Sequence, residues 1–141
     1  MFPMDVQRAA VEESELFAAG PAPQFGGVDA AQVAEVLGAL ANAKRPLLIA
    51  GSGVYYAGEG AALLRFAARN SIPVQTPIWD RGVCDSANDA FLGVIGSLTC
   101  DPGLLALSDC VVLAGAAVDY RLQHLQNCGK VVRLDGGVVV N

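Results

Sequence analysis

A chain of 141 residues is the length of one ordinary domain and can bury roughly two-thirds of the surface its unfolded form exposes, so a core without disulfides is within reach. With 53% hydrophobic and 16% charged residues it is too apolar to be disordered, and the composition points to a heavily buried sheet together with a surface that meets partner domains. The net charge of -5, with basic residues scattered singly, argues against binding to nucleic acid or to an acidic membrane.

Residues 1–27 are irregular and end in Gly20-Pro-Ala-Pro-Gln-Phe-Gly-Gly27, which reads as a linker. Asp29 caps an expected helix from Ala30 to about Asn42, where Val33, Val36, Leu37 and Leu40 share one face. Arg45-Pro46 ends it, and the apolar run Leu47 to Ala50 reads as a strand covered on both faces. Gly51-Ser52-Gly53 follows as a loop, then a helix from Ala61 to Asn70 and a strand from Ile72 to Thr76. One helix between two strands is the length that a crossover between parallel neighbours needs.

Residues 77–99 read mostly as loop, with a turn at Asp80-Arg81-Gly82 and one candidate strand, Phe91 to Ile95. Asp101 and Pro102 suggest a cap and first helical residue for a helix through about Leu107. A strand from Cys110 to Ala114, a helix from Asp119 to Gln126 and a strand from Lys130 to Leu134 complete an α/β layer pattern with a mostly parallel sheet. Cys84, Cys100, Cys110 and Cys128 show neither C-x-x-C nor metal-like spacing and read as reduced thiols. The longest apolar run, Cys110 to Val118, is about half a bilayer span, and no basic-then-apolar leader opens the sequence, so a cytoplasmic chain is expected.

In open parallel sheets ligands bind beyond the carboxyl ends of the strands. Here those exits are Gly51-Ser52-Gly53, Thr76-Pro77, Gly115-Ala116-Ala117 and Asp135-Gly136-Gly137, and three of the four are lined by small residues. The dinucleotide fingerprint G-x-G-x-x-G fails at its third glycine, where Tyr56 stands, and Gln75-Thr76 supplies no acid for a ribose. Two readings of the loop stay open, a phosphate cradle and a tight strand-to-helix turn. Arg121 can pair with a phosphate or with Asp119. Asp135 can accept from a ribose or cap a turn, and Asp80 and Arg81 can form an inter-domain contact or a solvated turn. His124 reads as a solvated helix position, and Trp79 and Tyr55-Tyr56 as stacking or packing aromatics.

The strings ANAKRPLLIAGSGV, ARNSIPVQT, Arg81-Gly82, FLGVIG, LALSDCVVLAGAAVDYRL and KVVRLD, in this order, resemble the central domain of thiamine diphosphate-dependent enzymes of the acetolactate synthase, 2-keto acid decarboxylase and benzaldehyde lyase type. The likeness spans residues 29 to about 136, and Phe2-Pro-Met-Asp-Val-Gln7 is similar to the stretch that closes the preceding pyrimidine-binding domain of that family. The resemblance implies residues 1–28 as an inter-domain linker and 29–141 as a Rossmann-like three-layer domain with about six mostly parallel strands. It implies a piece of a longer, dimeric or tetrameric lyase or transferase, in which thiamine diphosphate and Mg2+ are held by other domains and this one carries no catalytic residue.

In relatives of acetolactate synthase the central domain binds FAD, and in acyl-CoA decarboxylases ADP or coenzyme A. Carried over, the contacts fall on Gly51, Ser52 and Gly53, on Thr76, Pro77, Ile78, Ile95 and Gly96, and on Gly115, Asp119, Arg121 and Asp135. The chain departs from the family's G-x-R-F-D-D-R at Ala117 and Tyr120, and from its triple-glycine loop at Ser52. The alternative is a stand-alone NAD- or FAD-binding module on the same type of sheet.

Overall fold

The computed structural model describes Ala10, Glu12 and residues 24–25, 29–80, 82–83, 87–96, 101–126, 128–134 and 138–139. Five strands form one sheet: β2 (Pro46–Ala50), β3 (Val74–Pro77), β4 (Phe91–Ile95), β5 (Cys110–Ala114) and β6 (Lys130–Leu134). They are all parallel, in the order β4-β3-β2-β5-β6. A two-residue strand β1 (Gln24–Phe25) pairs antiparallel with β7 (Val138–Val139), joining a segment ahead of the first helix to one beyond β6. The expected sheet of about six strands therefore has five among the described residues, because β7 pairs with β1 and does not extend the sheet beyond β6.

Successive side chains of a strand point to opposite faces, and the two faces carry separate cores. Leu48, Ala50, Val74, Val112, Ala114 and Val132 pack with Val36 and Ala39 of helix α1 (Ala30–Asn42) and with Leu64 and Ala67 of helix α3 (Gly60–Arg69). Leu47, Ile49, Val111 and Leu113 face the other way, against Leu105 of the short helix α4 (Leu104–Leu107) and against Leu122. A second short helix, α2 (Ser52–Tyr56), starts directly at the exit of β2, where the sequence suggested a loop. Burying every side chain of β5 on both faces explains why its sequence is a continuous apolar run with no alternation.

Three local expectations change. Strand β3 begins at Val74, not Ile72, because the Ile72 N–H donates to Ala67 O at 2.9 Å and so still belongs to the end of α3. The helix after Asp101 begins only at Leu104. The Asp101 carboxylate accepts from the Gly96 and Gly103 N–H groups at 2.9 Å each, and Gly103 takes φ +68, which leaves Pro102 in the loop. The expected helix over 119–126 is a 3-10 segment, Tyr120–Leu125, in which Gln123, His124 and Leu125 all have positive φ. Three consecutive non-glycine residues in that region stop an α-helix from propagating. Asp119 does cap the segment, accepting from the Arg121 N–H at 2.9 Å.

The amino-terminal edge of the sheet is pinned by Asp109. Its carboxylate accepts from the backbone N–H groups of Lys44 and Arg45 at 2.9 Å each, while its own N–H donates to Arg45 O at 3.2 Å. This exchange sets the start of β2 level with that of β5, where Pro46 pairs with Cys110. A proline is tolerated there because it is the first residue of its strand. Cys110 is buried and Cys128 half-buried; both thiols are free, and burial pushes both above the usual thiol range, as reduced structural cysteines require. Cys84 and Cys100 lie outside the described residues.

The N–H of Arg45, ahead of that of Lys44, holds the Asp109 carboxyl below its ordinary value despite some desolvation. The unfolded chain therefore binds this proton at higher pH than the folded one. The stabilisation is full above about pH 5 and is lost as pH falls through the lowered folded value. Asp109→Ala should lower the urea midpoint at neutral pH and flatten its decline between about pH 5 and 3, as a pH series of urea titrations would record.

Candidate functional site

The carboxyl ends of β2, β3, β4 and β5 converge on one rim. At its centre Gly51 and Gly53 lie against the turn that leaves β5. A Cβ built on Gly53 would stand 2.8 Å from Gly115 Cα, and one on Gly115, whose φ is +55, would stand 2.8 Å from Gly53 Cα. A Cβ on Gly51 would run into Gly115 O and Ala116. These glycines are required by the contact of one strand exit with the next, whatever else the rim does.

The backbone donors of the glycine turns at these exits are engaged within the chain. Gly51 N–H donates to Ala114 O at 2.9 Å, Gly53 N–H to Gly115 O at 3.0 Å, and Gly115 N–H to Leu134 O at 3.1 Å. Ser52 N–H, which opens α2, donates to the Asp80 carboxylate at 2.8 Å. On the far side Ile78 N–H donates to Ile95 O at 2.9 Å and Gly96 N–H to the Asp101 carboxylate at 2.9 Å. Gly96, with φ +82, also sits where a Cβ would meet Arg121 O at 3.0 Å.

Arg121 ties these exits together. Its Nε donates to both oxygens of Asp119, its Nη1 to Ile78 O at 2.9 Å and to Asp80 Oδ1, and its Nη2 pairs with Asp119 at 2.6 Å. The side chains of Arg121 and Asp80 are only 15% and 10% exposed, so this pair is shielded from solvent, and the Arg121–Asp119 pair that the sequence allowed forms beside it with Asp119 31% exposed. The hydrogen bond from Arg121 holds the Asp119 carboxyl below its ordinary range, and Asp119, followed by Asp80, raises the guanidinium in return. Asp80 is not the solvated turn residue that one reading expected, since its carboxylate is bonded to Ser52 N–H and to Arg121.

The other residues singled out in the sequence fall around this network. Thr76, Pro77 and Ile95 are buried beneath the rim and Ile78 is half-buried. Asp135 and Arg81 lie outside the described residues. Trp79 is 84% exposed and takes φ +72, in a turn closed by Asp80 N–H donating to Pro77 O. Tyr55 and Tyr56 meet edge to face at 5.4 Å and are exposed, as is His124. Among the described residues, Gln75, fully buried beside its register partner Ile49, has both amide atoms without a hydrogen-bond partner, and the Thr76 hydroxyl is in the same position.

Sequence reading missed three features. The pairing of Asp80 with Ser52 and Arg121 spans 28 and 41 residues and has no local motif. Asp101 looked like a helix cap and is instead the partner of the Gly96 amide. Between α1 and α3, finally, an apolar groove of about 860 Å³ runs over Leu48, Val112 and Ala114, walled by Leu37, Leu40, Tyr56 and Phe66 and reaching Gly53 and Gly115. The helical spacing of α1 foretold its wall, since Leu37 is half exposed there. Among the described residues no group of three or more His, Cys, Asp or Glu could hold a metal ion, and no helix is long and apolar enough to cross a membrane.

Comparisons with known proteins place this geometry in context. The profile of the family described as thiamine pyrophosphate enzyme, central domain, matches residues 33–136. The chain is 32% identical over 138 residues to a protein of Pseudomonas aeruginosa named as a 2-ketoarginine decarboxylase, covering 94% of this chain and 24% of that protein. It is 32% identical over 82 residues, 58% of this chain and 14% of the relative, to one named as an acetolactate synthase large subunit in Methanococcus aeolicus. A solved structure described as a thiamin diphosphate-dependent enzyme from Mycobacterium smegmatis superposes with a TM-score of 0.61 at 19% identity, covering 86% of this chain and 28% of that one. The chain thus spans about a quarter or less of the curated relatives it matches.

Two sets of substitutions test the packing. Gly53→Ala should cost about 1 to 3 kcal/mol through overpacking against Gly115, whereas Gly38→Ala in α1, where a Cβ meets nothing within 4 Å, should add about 0.5 to 1 kcal/mol; urea titrations give both. Gln75→Met keeps the side chain's length and removes two unpartnered buried atoms, so calorimetry should find the variant about 1 kcal/mol or more stabler than the parent chain.

Proposed function

The chain belongs to the thiamine pyrophosphate enzyme family, as a central domain, and on that premise we propose that it is the structural middle of a longer enzyme that makes or breaks a carbon–carbon bond beside the carbonyl of a 2-keto acid. Such an enzyme is a lyase or transferase of the acetolactate synthase or decarboxylase type. Thiamine diphosphate supplies the electron sink for that chemistry, and it and Mg2+ are bound by other domains of the same polypeptide. The contribution of this domain is framework: a rigid parallel sheet between domains that hold the reacting groups.

The observation that carries the reading is the family match over residues 33–136 on a domain whose rim carboxylates and guanidinium are bonded to one another. A general acid, base or nucleophile needs a side chain free to meet substrate, and Asp80, Asp101, Asp119 and Arg121 are each engaged. The small share of each relative that the chain covers supports neighbouring domains as its partners. The apolar groove and the exposure of Leu37, Tyr56 and Phe66 suit burial against such a neighbour. A cytoplasmic setting suits the free thiols of Cys110 and Cys128. The stand-alone NAD- or FAD-binding module is the weaker reading, since the N–H groups of its glycine loop, Gly51, Ser52 and Gly53, already donate within the chain.

With thiamine diphosphate, Mg2+ and pyruvate or another 2-keto acid, the 141-residue chain should release no CO2, while a complete polypeptide carrying it should do so only when thiamine diphosphate is added. Turnover by the 141-residue chain alone would overturn the framework role.

A further inference from the structure

Relatives of this fold raise the expectation of an adenine nucleotide over the strand exits, and the residues present argue against it. A pyrophosphate bound at such a rim takes hydrogen bonds from unengaged backbone N–H groups and needs a field that favours negative charge. Among the described residues, the donors of the glycine turns do not meet the first condition and the charges beside them do not meet the second. The N–H groups of Gly51, Ser52, Gly53, Gly96, Gly115 and Arg121 all donate to acceptors of this chain. For Ser52, Gly96 and Arg121 the acceptor is a carboxylate, which is the kind of anionic oxygen a phosphate would present. Among the described residues in this network, the carboxylates of Asp80, Asp101 and Asp119 stand with one guanidinium, that of Arg121, so the local charge is negative before any ligand arrives.

We infer that this rim is closed from within: the Asp80 carboxylate, seated on the Ser52 N–H and paired with Arg121, takes the place of a nucleotide phosphate, and the domain carries no FAD or ADP there. Asp80 is the decisive member because it alone bridges the loop after β2 to Arg121. It sits next to Trp79, the only tryptophan of the chain, whose exposed indole makes a built-in optical reporter for a ligand at this rim. The glycines keep their explanation without a ligand, since Gly51, Gly53 and Gly115 are required by one another. The inference depends on the family reading only for why a nucleotide is expected, and not on the carbon–carbon chemistry, so the two can fail separately.

The test is a titration of the 141-residue chain with ADP and with FAD, read by calorimetry and by Trp79 fluorescence, beside the same titration of Asp80→Ala. The wild-type chain should give no saturable signal up to about 1 mM, while Asp80→Ala, with Ser52 N–H and one arm of Arg121 released, should bind ADP at least about tenfold more tightly and lose that binding in about 0.5 M salt. Saturable wild-type binding below about 1 mM overturns the inference, and so does a folded Asp80→Ala that binds no better than wild type. Should the variant fail to fold, amide spectra of the wild-type chain decide: Ser52, Gly53 and Gly115 should stay unshifted by about 5 mM pyrophosphate, and saturable shifts there overturn the inference.

Discussion

The contact on which the rest of the structure depends is the meeting of two backbone turns, Gly51 to Gly53 against Gly115, at the exits of the two central strands. β2 and β5 run in register from Pro46 opposite Cys110 to Ala50 opposite Ala114, so their exits arrive level and have to turn away in the same small volume. Any side chain at Gly53 or Gly115 would push the turns apart and take the ends of both strands with them. The parallel sheet can continue to its last residue pair only because that volume is left to backbone. From this contact α2 can start at once, and the Ser52 N–H comes to face Asp80.

Electrostatics then does at the edges what close packing does at the centre. Asp80, Asp101 and Asp119 each cap a backbone donor, and Arg121 gathers the first and third of these carboxylates. A half-buried guanidinium of this kind gains little over a well-packed apolar side chain, but losing one of its partners leaves a charge poorly solvated, which is costly. That asymmetry favours keeping the set together. It also explains how a rim built on glycines, which elsewhere admits phosphate, can be complete without one. Phosphate and carboxylate oxygens satisfy the same N–H groups, and a side chain already attached does so without the entropy cost of association.

The central strands were legible in the sequence because burial on both faces leaves a plain signature. Leu47 to Ala50, Cys110 to Ala114 and Lys130 to Leu134 are read correctly, as is α1 with its cap at Asp29. Phe91 to Ile95, only a candidate from sequence, is a strand. What local pattern could not supply is whatever depends on partners far along the chain. The Asp101-Pro102 pair has the form of a helix start, but the Gly96 amide, brought close only by folding, draws the Asp101 carboxylate away. Nothing in the sequence from Tyr120 to Leu125 announces three left-handed residues, because that conformation answers to the packing of Leu122 into the core and the hold on Arg121, not to propensity. The role of Gly51-Ser52-Gly53 was undecidable for the same reason, since a cradle and a packing turn use the same residue types.

The two faces of the sheet are finished to different degrees, and this bears on what the domain is for. On the face of Ile49 and Leu113 the 3-10 segment and α4 close over the strands, with Leu122 fully buried. On the face of Leu48 and Val112, α1 and α3 stand apart and leave an apolar groove with Leu37, Tyr56 and Phe66 on its walls. Water against such a surface costs about 25 cal/mol for each Å² of apolar area left uncovered, a cost that a stand-alone binding module would carry throughout its life. A domain held between others meets it once, on assembly. On the proposed reading, glycine turns bonded within the chain beside an apolar, unclosed helical face suit a part that is covered by neighbouring domains, with the Asp80–Arg121 pair shielded beneath the rim.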